Sequence, residues 1–188
     1  MLRISKKIKK FDKKVFVDGD KSISIRWALI SSQAIGVSRA YNLLKSEDVL
    51  HALKCLKKLG VKIKNTKEYC EIIGKGINGF DYKKNLTLNA GNSGTLGRLI
   101  LSLLIKSPFK IKIVGDKSLS KRDFSRIIKP LNIFGVKVKS NKNKLPVILK
   151  GTNCLRPIYF EEKKGSAQVK SCIMMASLNT PGITEIKC

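Results

Sequence analysis

The residues best suited to chemistry are small polar groups followed within two turns by a cation, and the chain repeats this arrangement. The first set is Lys21, Ser22 and Arg26. The second is Asn92 to Thr95 with Arg98, inside the stretch Leu88-Asn-Ala-Gly-Asn-Ser-Gly-Thr-Leu-Gly-Arg98. The third is Ser166, Gln168 and Lys170. Arg122 stands apart, at the end of a polar loop starting at Gly115. Each set precedes an apolar run, as a helix N-terminus does. The first turn of a helix leaves backbone N–H groups unpaired and carries partial positive charge, so it draws anions. A cation in that turn opposes the dipole and is best justified by a bound anion. Lysine would act as a mobile point charge, and arginine as a two-pronged donor to phosphate or carboxylate. The competing reading is three capped helix starts with no ligand.

The elements that must hold these residues form a repeat. Arg26, Arg98 and Lys170 are spaced by 72 and 72 residues, and Gly135-Val-Lys-Val138 repeats Gly60-Val-Lys-Ile63 at an offset of 75. Gly151 likewise follows Gly76 by 75. Such a period signals stacked supersecondary units. The spacing predicts strands over 2–9, 37–43, 61–64, 69–73, 86–88, 109–114 and 158–160. Apolar helices are expected over 27–35, 96–105 and 172–178, the first ended by Gly36. Amphipathic helices are expected after the N-cap Ser46 and around Phe124 to Phe134, the latter continuing through Pro130. Each unit therefore reads βαβαββ in an α/β (α+β) fold. The apolar helices show no wet face and are expected to lie parallel in the centre, with sheets around them. The third unit reads only as far as Thr184 to Lys187, which suggests a truncated chain. His51, among lysines, reads as a surface residue.

Composition narrows the function classes. The chain has 188 residues, a formal charge of +26 and 39 Lys plus Arg against 13 Asp plus Glu. Its lysines are scattered over turns and helix faces, without a basic arm or an aromatic cluster for stacking bases. The reading is therefore of no nucleic-acid partner, and the positive field suits phosphorylated small molecules. No run is long enough to span a bilayer and no secretory leader is evident, so the expectation is a cytoplasmic protein without a membrane partner. Cys55, Cys70, Cys154, Cys172 and Cys188 include no C-x-x-C pair, which argues against a zinc site or a disulfide framework. Gly19-Asp-Lys-Ser22 lacks the glycine spacing of a P-loop, and Gly91, Gly94 and Gly97 do not form a dinucleotide fingerprint. There is no Ser-His-Asp set and no clustered carboxylate pair.

Four segments carry a resemblance. Gly19-Asp-Lys-Ser-Ile-Ser-Ile-Arg26, Gly91-Asn-Ser-Gly-Thr-Leu-Gly-Arg98, Gly115-Asp-Lys-Ser-Leu-Ser-Lys-Arg122 and Ser166-Ala-Gln-Val-Lys-Ser171 are similar, in order and spacing, to signature segments of the 3-phosphoshikimate 1-carboxyvinyltransferase (EPSP synthase) family. The resemblance implies the enolpyruvate transferase fold, an inside-out barrel of two lobes with three units each. Residues 1–188 would be the N-terminal part of that domain. Within it, 1–18 would form a strand of the otherwise missing lobe, and 19–188 an incomplete second lobe with two full repeats and the start of a third.

The implied reaction joins phosphoenolpyruvate, through C2, to the 5-hydroxyl of shikimate 3-phosphate by a tetrahedral intermediate that expels phosphate. This is a step toward chorismate and the aromatic amino acids. The resemblance places Lys21 on both substrates, and Ser22, Arg26, Ser166 and Ala167 on shikimate 3-phosphate. Gly94 and Arg122 fall on phosphoenolpyruvate, and Gln168 on both. It implies no cofactor and a monomer when complete. The family's acid and base residues fall outside these residues, so no catalytic residue is assigned and the chain alone is expected to be inactive. Asp123 stands where the family usually has proline, which predicts a looser Arg122 loop. Two alternatives remain. The related UDP-N-acetylglucosamine enolpyruvyltransferases carry a cysteine in the loop before the equivalent of Arg122, and Gly115 to Lys121 has none. A basic RNA-binding or RNA-end-processing protein of related fold is the other.

Overall fold

A computed structural model describes residues 14–187 together with Lys10 and Asp12, so the strand expected over 2–9 lies outside the described residues. The repeat of the sequence is a repeat of architecture. The second unit shows it in full: β4 (Thr87–Asn89), α3 (Gly94–Leu103), β5 (Lys110–Val114), α4 (Ser125–Ile133), β6 (Lys137–Asn141) and β7 (Lys144–Lys150). Its sheet has the order β4-β5-β7-β6, with β4 and β5 parallel and the other pairings antiparallel. The first unit supplies α1 (Lys21–Gln33), β1 (Ile35–Tyr41), α2 (Glu47–Lys58), β2 (Lys62–Asn65) and β3 (Tyr69–Lys75). Its sheet, β1-β3-β2, repeats the order of β5-β7-β6. In the third unit β8 (Tyr159–Glu161), α5 (Ala167–Ser177) and β9 (Glu185–Lys187) repeat the parallel pair with its crossover helix.

Local sequence explains these elements. In β5 and β7 apolar residues alternate with exposed ones: Ile111, Ile113, Leu145, Val147 and Leu149 point to the core, and lysines point to water. α2 buries Val49, Ala52, Leu53, Cys55 and Leu56 on one side, with Glu47 and Asp48 in its first turn and Lys57 and Lys58 in its last. α4 runs through Pro130 as expected, burying Ile127, Ile128 and Leu131. Three cysteines of the core, Cys55, Cys70 and Cys172, are free thiols. Burial pushes Cys55 up to about 11 and Cys172 up to about 12, so neither is an anion at neutral pH.

Two expectations are corrected. The first helix starts at Lys21 rather than Trp27 and ends at Gln33, so Ile35 and Gly36 belong to β1. The Asp20 carboxylate caps it early by accepting the Ile23 N–H at 2.7 Å, and burial of Ile25, Ala28 and Leu29 outweighs the weak helix preference of the Ser/Ile-rich turn. The second concerns the apolar helices. α3, between α1 and α5, is buried at every residue but Arg98. α1 and α5 instead leave apolar side chains in water, with Ile23 at 69% and Met174 at 61% exposure. The reason is topological: among the described residues, no amphipathic helix and hairpin of a third unit cover those flanks.

Candidate functional site

The N-termini of α1, α3 and α5 come together, each opened by a side-chain cap. Asp20 serves α1, while the Ser93 hydroxyl accepts from the Leu96 N–H and the Ser166 hydroxyl from the Val169 N–H. Beside them lies a polar cavity of about 340 Å³. It is lined by Lys21 and Ser22 from α1, Asp48 from α2, Asn92, Gly94 and Thr95 from the start of α3, Arg122 from the loop before α4, and Gln168 from α5. Of the eight residues that the resemblance places on substrates, five, Lys21, Ser22, Gly94, Arg122 and Gln168, line this one space, joined by Asn92 and Thr95. The other three stand close behind it in the chain. Arg26 donates through Nε to Ser171 of α5 at 3.2 Å and through its terminal nitrogen to the Ser22 carbonyl, tying α1 to α5. Ser166 is engaged as the cap, and Ala167 is the first residue of α5.

Side chains lock the three termini to one another. Gln168 accepts from Arg98 at 3.0 Å and donates to the Thr95 hydroxyl at 3.2 Å. Arg98 also donates to the Asp123 carbonyl and lies over the Phe124 ring. Arg122 donates to Asn92 Oδ1 at 3.3 Å. Gly94 has a specific steric role: a Cβ there would stand 2.8 Å from an Arg98 guanidinium nitrogen and 2.9 Å from one of Arg122. The missing side chain is space for two arginines.

The electrostatics favour an anion. Lys21 and Arg122 face the cavity, and Asp48 is its one carboxylate, paired with Lys21 at 3.1 Å. Burial, and next the nearby Arg122 charge, lower the Arg98 pKa from its ordinary value. An anion bound here relieves that crowding of positive charge. The lining can hold and neutralise multiply charged groups.

Comparison with known proteins gives this geometry a lineage. The sequence profile of the EPSP synthase (3-phosphoshikimate 1-carboxyvinyltransferase) family matches residues 5–188. The chain belongs to the EPSP synthase family. It is 44% identical over 172 residues to the 3-phosphoshikimate 1-carboxyvinyltransferase of Ruthia magnifica, covering 91% of this chain and 39% of that protein. With the Streptococcus pyogenes serotype M2 protein of the same name it shares 42% over 172 residues, covering 90% of this chain and 40% of the relative. The structure of EPSP synthase from Acinetobacter baumannii superposes with a TM-score of 0.86 at 36% identity, over 93% of this chain and 40% of that one. The chain thus spans about two fifths of the length of these relatives.

Two features of this EPSP synthase-family chain escaped the sequence reading. Asp48, an acidic residue in the first turn of α2, is the counter-ion of Lys21. His51 is no free surface residue: its Nδ1 donates to the Asn89 carbonyl at 3.1 Å, and its ring packs against Gly91 in the anion-site turn. Asp123, next to Arg122, is anchored on both sides. Its carboxylate accepts from the Ser125 N–H and hydroxyl, which hold its pKa below the ordinary value, and its carbonyl holds Arg98.

Glu162 anchors the segment that leads to α5. Its buried carboxylate accepts from Arg126 of α4 at 2.7 Å and from the Lys164 N–H at 2.8 Å. Burial opposes the charge, but these donors prevail and hold the pKa below its ordinary 4.5. Glu162→Gln is expected to cost about 1–2 kcal/mol, toward the low end because Arg126 is partly solvated. That is a fall of about 3–8 °C in melting temperature. The native contribution is full above pH 4.5 and fades as pH drops through the lowered folded value. The difference in melting temperature between wild type and variant should therefore shrink in acid.

Proposed function

We propose that this chain provides the shikimate 3-phosphate site and part of the phosphoenolpyruvate site for enolpyruvyl transfer, in the cytoplasm. In this reading residues 19–188 are two full units and the start of a third of one lobe, and residues 1–18 lead from the other. Ser22, Arg26, Ser166 and Ala167 take shikimate 3-phosphate, Gly94 and Arg122 take phosphoenolpyruvate, and Lys21 and Gln168 lie between the two. The observation that carries the proposal is the convergence of three capped helix N-termini on one cavity lined by Lys21 and Arg122.

Physically, two multiply charged anions must be brought within bonding distance, and their mutual repulsion is the main obstacle. Fixed cations and N–H donors remove it without reorganising during the reaction. Lys21 is released from Asp48 as the ligands bring negative charge. No residue lining this cavity is assigned as the acid or base that moves the hydroxyl proton of shikimate 3-phosphate, so turnover is not expected from this chain alone.

The test uses the purified 188-residue chain. Shikimate 3-phosphate at ten times its dissociation constant is expected to stabilise the fold by about 1.4 kcal/mol, or about 3–6 °C. No phosphate should be released when both substrates are present. Sulfate giving the same shift at the same concentration would reduce the site to a generic anion hole. Phosphate release by the chain would overturn the assignment of an incomplete site.

A further inference from the structure

The solvent face of the second sheet gathers lysines that the sequence scatters. Lys110 of β5 pairs with Lys150 of β7, which pairs on its other side with Lys137 of β6, so three lysines stand abreast. In the next row Lys112 and Lys139 flank Ile148. All five lysines are exposed, and none takes part in an ion pair among the described residues. Like charges directly opposite across strands destabilise a sheet, so the arrangement runs against the fold's own interest. The repeat supplies an internal control. In the first unit the central strand sets Glu71 between Arg39 and Lys64, and Arg39 closes on Glu71 at 2.6 Å. The first unit thus breaks its run of cations with a carboxylate, and the three strands β5, β6 and β7 of the second carry none.

Shape narrows the partner. Lys110, Lys137, Lys139 and Lys150 surround a hollow of about 230 Å³ with Ile148 among them. A membrane surface calls for protruding apolar anchors beside the cations, and this face has no aromatic residue. The lysine stems wall the hollow, so a flexible strand of phosphates laid along its rim meets several ammonium groups at once. Without aromatic platforms the face cannot stack bases, so it holds the backbone and ignores sequence. We infer that the outer face of the β4-β5-β7-β6 sheet is a sequence-indifferent docking surface for single-stranded nucleic acid.

The test is fluorescence polarisation of labelled U20 and A20 RNA with the full chain. Five phosphate contacts give a slope of log affinity against log salt near −3.5, an affinity loss of about 100-fold between 50 and 200 mM salt. U20 and A20 should bind alike. Threonine at positions 110, 112, 137, 139 and 150 should flatten the slope by about 3. A control with threonine at Lys54, Lys57, Lys67, Lys83 and Lys84 makes the same change in net charge and should leave the slope nearly unchanged. Lys150→Glu alone sets a carboxylate between two lysines and should raise the melting temperature while weakening RNA at least ten-fold. Equal losses in the five-site variant and the control would overturn the proposal in favour of diffuse charge. So would unchanged binding by Lys150→Glu, or binding to vesicles of 30% phosphatidylserine without binding to RNA.

Discussion

Gly94→Ala is expected to weaken phosphoenolpyruvate binding by about 10- to 100-fold while leaving the fold nearly as stable as before. The added methyl would sit 2.8 Å from Arg98 and 2.9 Å from Arg122, closer than a carbon and a nitrogen tolerate. One or both guanidiniums must retreat. Arg98 is held by Gln168, the Asp123 carbonyl and the Phe124 ring, whereas Arg122 is held by Asn92. Arg122 is therefore the one that yields. A charge-assisted hydrogen bond is worth about 1.5–3 kcal/mol, and 1.4 kcal/mol is tenfold in affinity. Gly94 is not among the glycines in the left-handed region, so alanine brings no backbone strain. Shikimate 3-phosphate, whose proposed contacts are Lys21, Ser22, Arg26, Ser166, Ala167 and Gln168, should lose less than threefold. Titration of the two ligands by NMR separates these outcomes. Equal losses would mean that Gly94 maintains the turn for both ligands rather than the room for Arg122.

Much of this was legible in the sequence because each repeat unit has to bury the same faces. The recurring Gly-Val-Lys step after each amphipathic helix marks the same helix-to-hairpin turn, and it appears in the structure at Gly60 and Gly135. The convergence of Lys21, Gly94 and Gln168 followed from the repeat, since equivalent helix starts in a pseudo-symmetric stack fall at one end. Two kinds of information were not accessible. Apolarity tells that a helix face wants cover, not whether cover is present, so the exposed Ile23 and Met174 were missed. Pairings between distant elements leave no trace in local spacing: Asp48 meets Lys21 from 27 positions away, and His51 meets Asn89 from 38. The same holds for the lysine face, because cross-strand register is set by tertiary pairing.

α2 emerges from this as more than a cover for the core. Its first turn supplies the counter-ion of Lys21, and one turn later His51 supports the Asn89–Asn92 turn that leads into α3. One helix of the first unit thus fixes a cation of its own unit and the turn that opens α3 of the next. Loosening α2 should disturb ligand contacts made by both units, even though only Asp48 of this helix lines the cavity.

Gly91 is where that coupling can be measured. Its φ of +57° lies in the left-handed region, and an added Cβ would stand 2.6 Å from the Cδ2 and Nε2 atoms of His51. Gly91→Ala therefore combines a backbone penalty of about 1–2 kcal/mol with an overpacking penalty of about 1–3 kcal/mol. The expected loss is about 2–5 kcal/mol, or roughly 4–20 °C in melting temperature. His51→Ala alone removes one hydrogen bond to the Asn89 carbonyl and some packing, and should cost about 1 kcal/mol. In the double variant the ring is gone, so only the backbone penalty of Gly91→Ala remains. The double variant should thus be as stable as Gly91→Ala or more so, with a coupling energy of about 1–3 kcal/mol read from thermal or urea unfolding. Strict additivity would show that the ring swings clear of the methyl at no cost. In that case α2 would not brace the turn through His51, and the support of Asn92 and Arg122 would have to come from the turn's own backbone, where the Asn89 side chain accepts the Gly91 N–H.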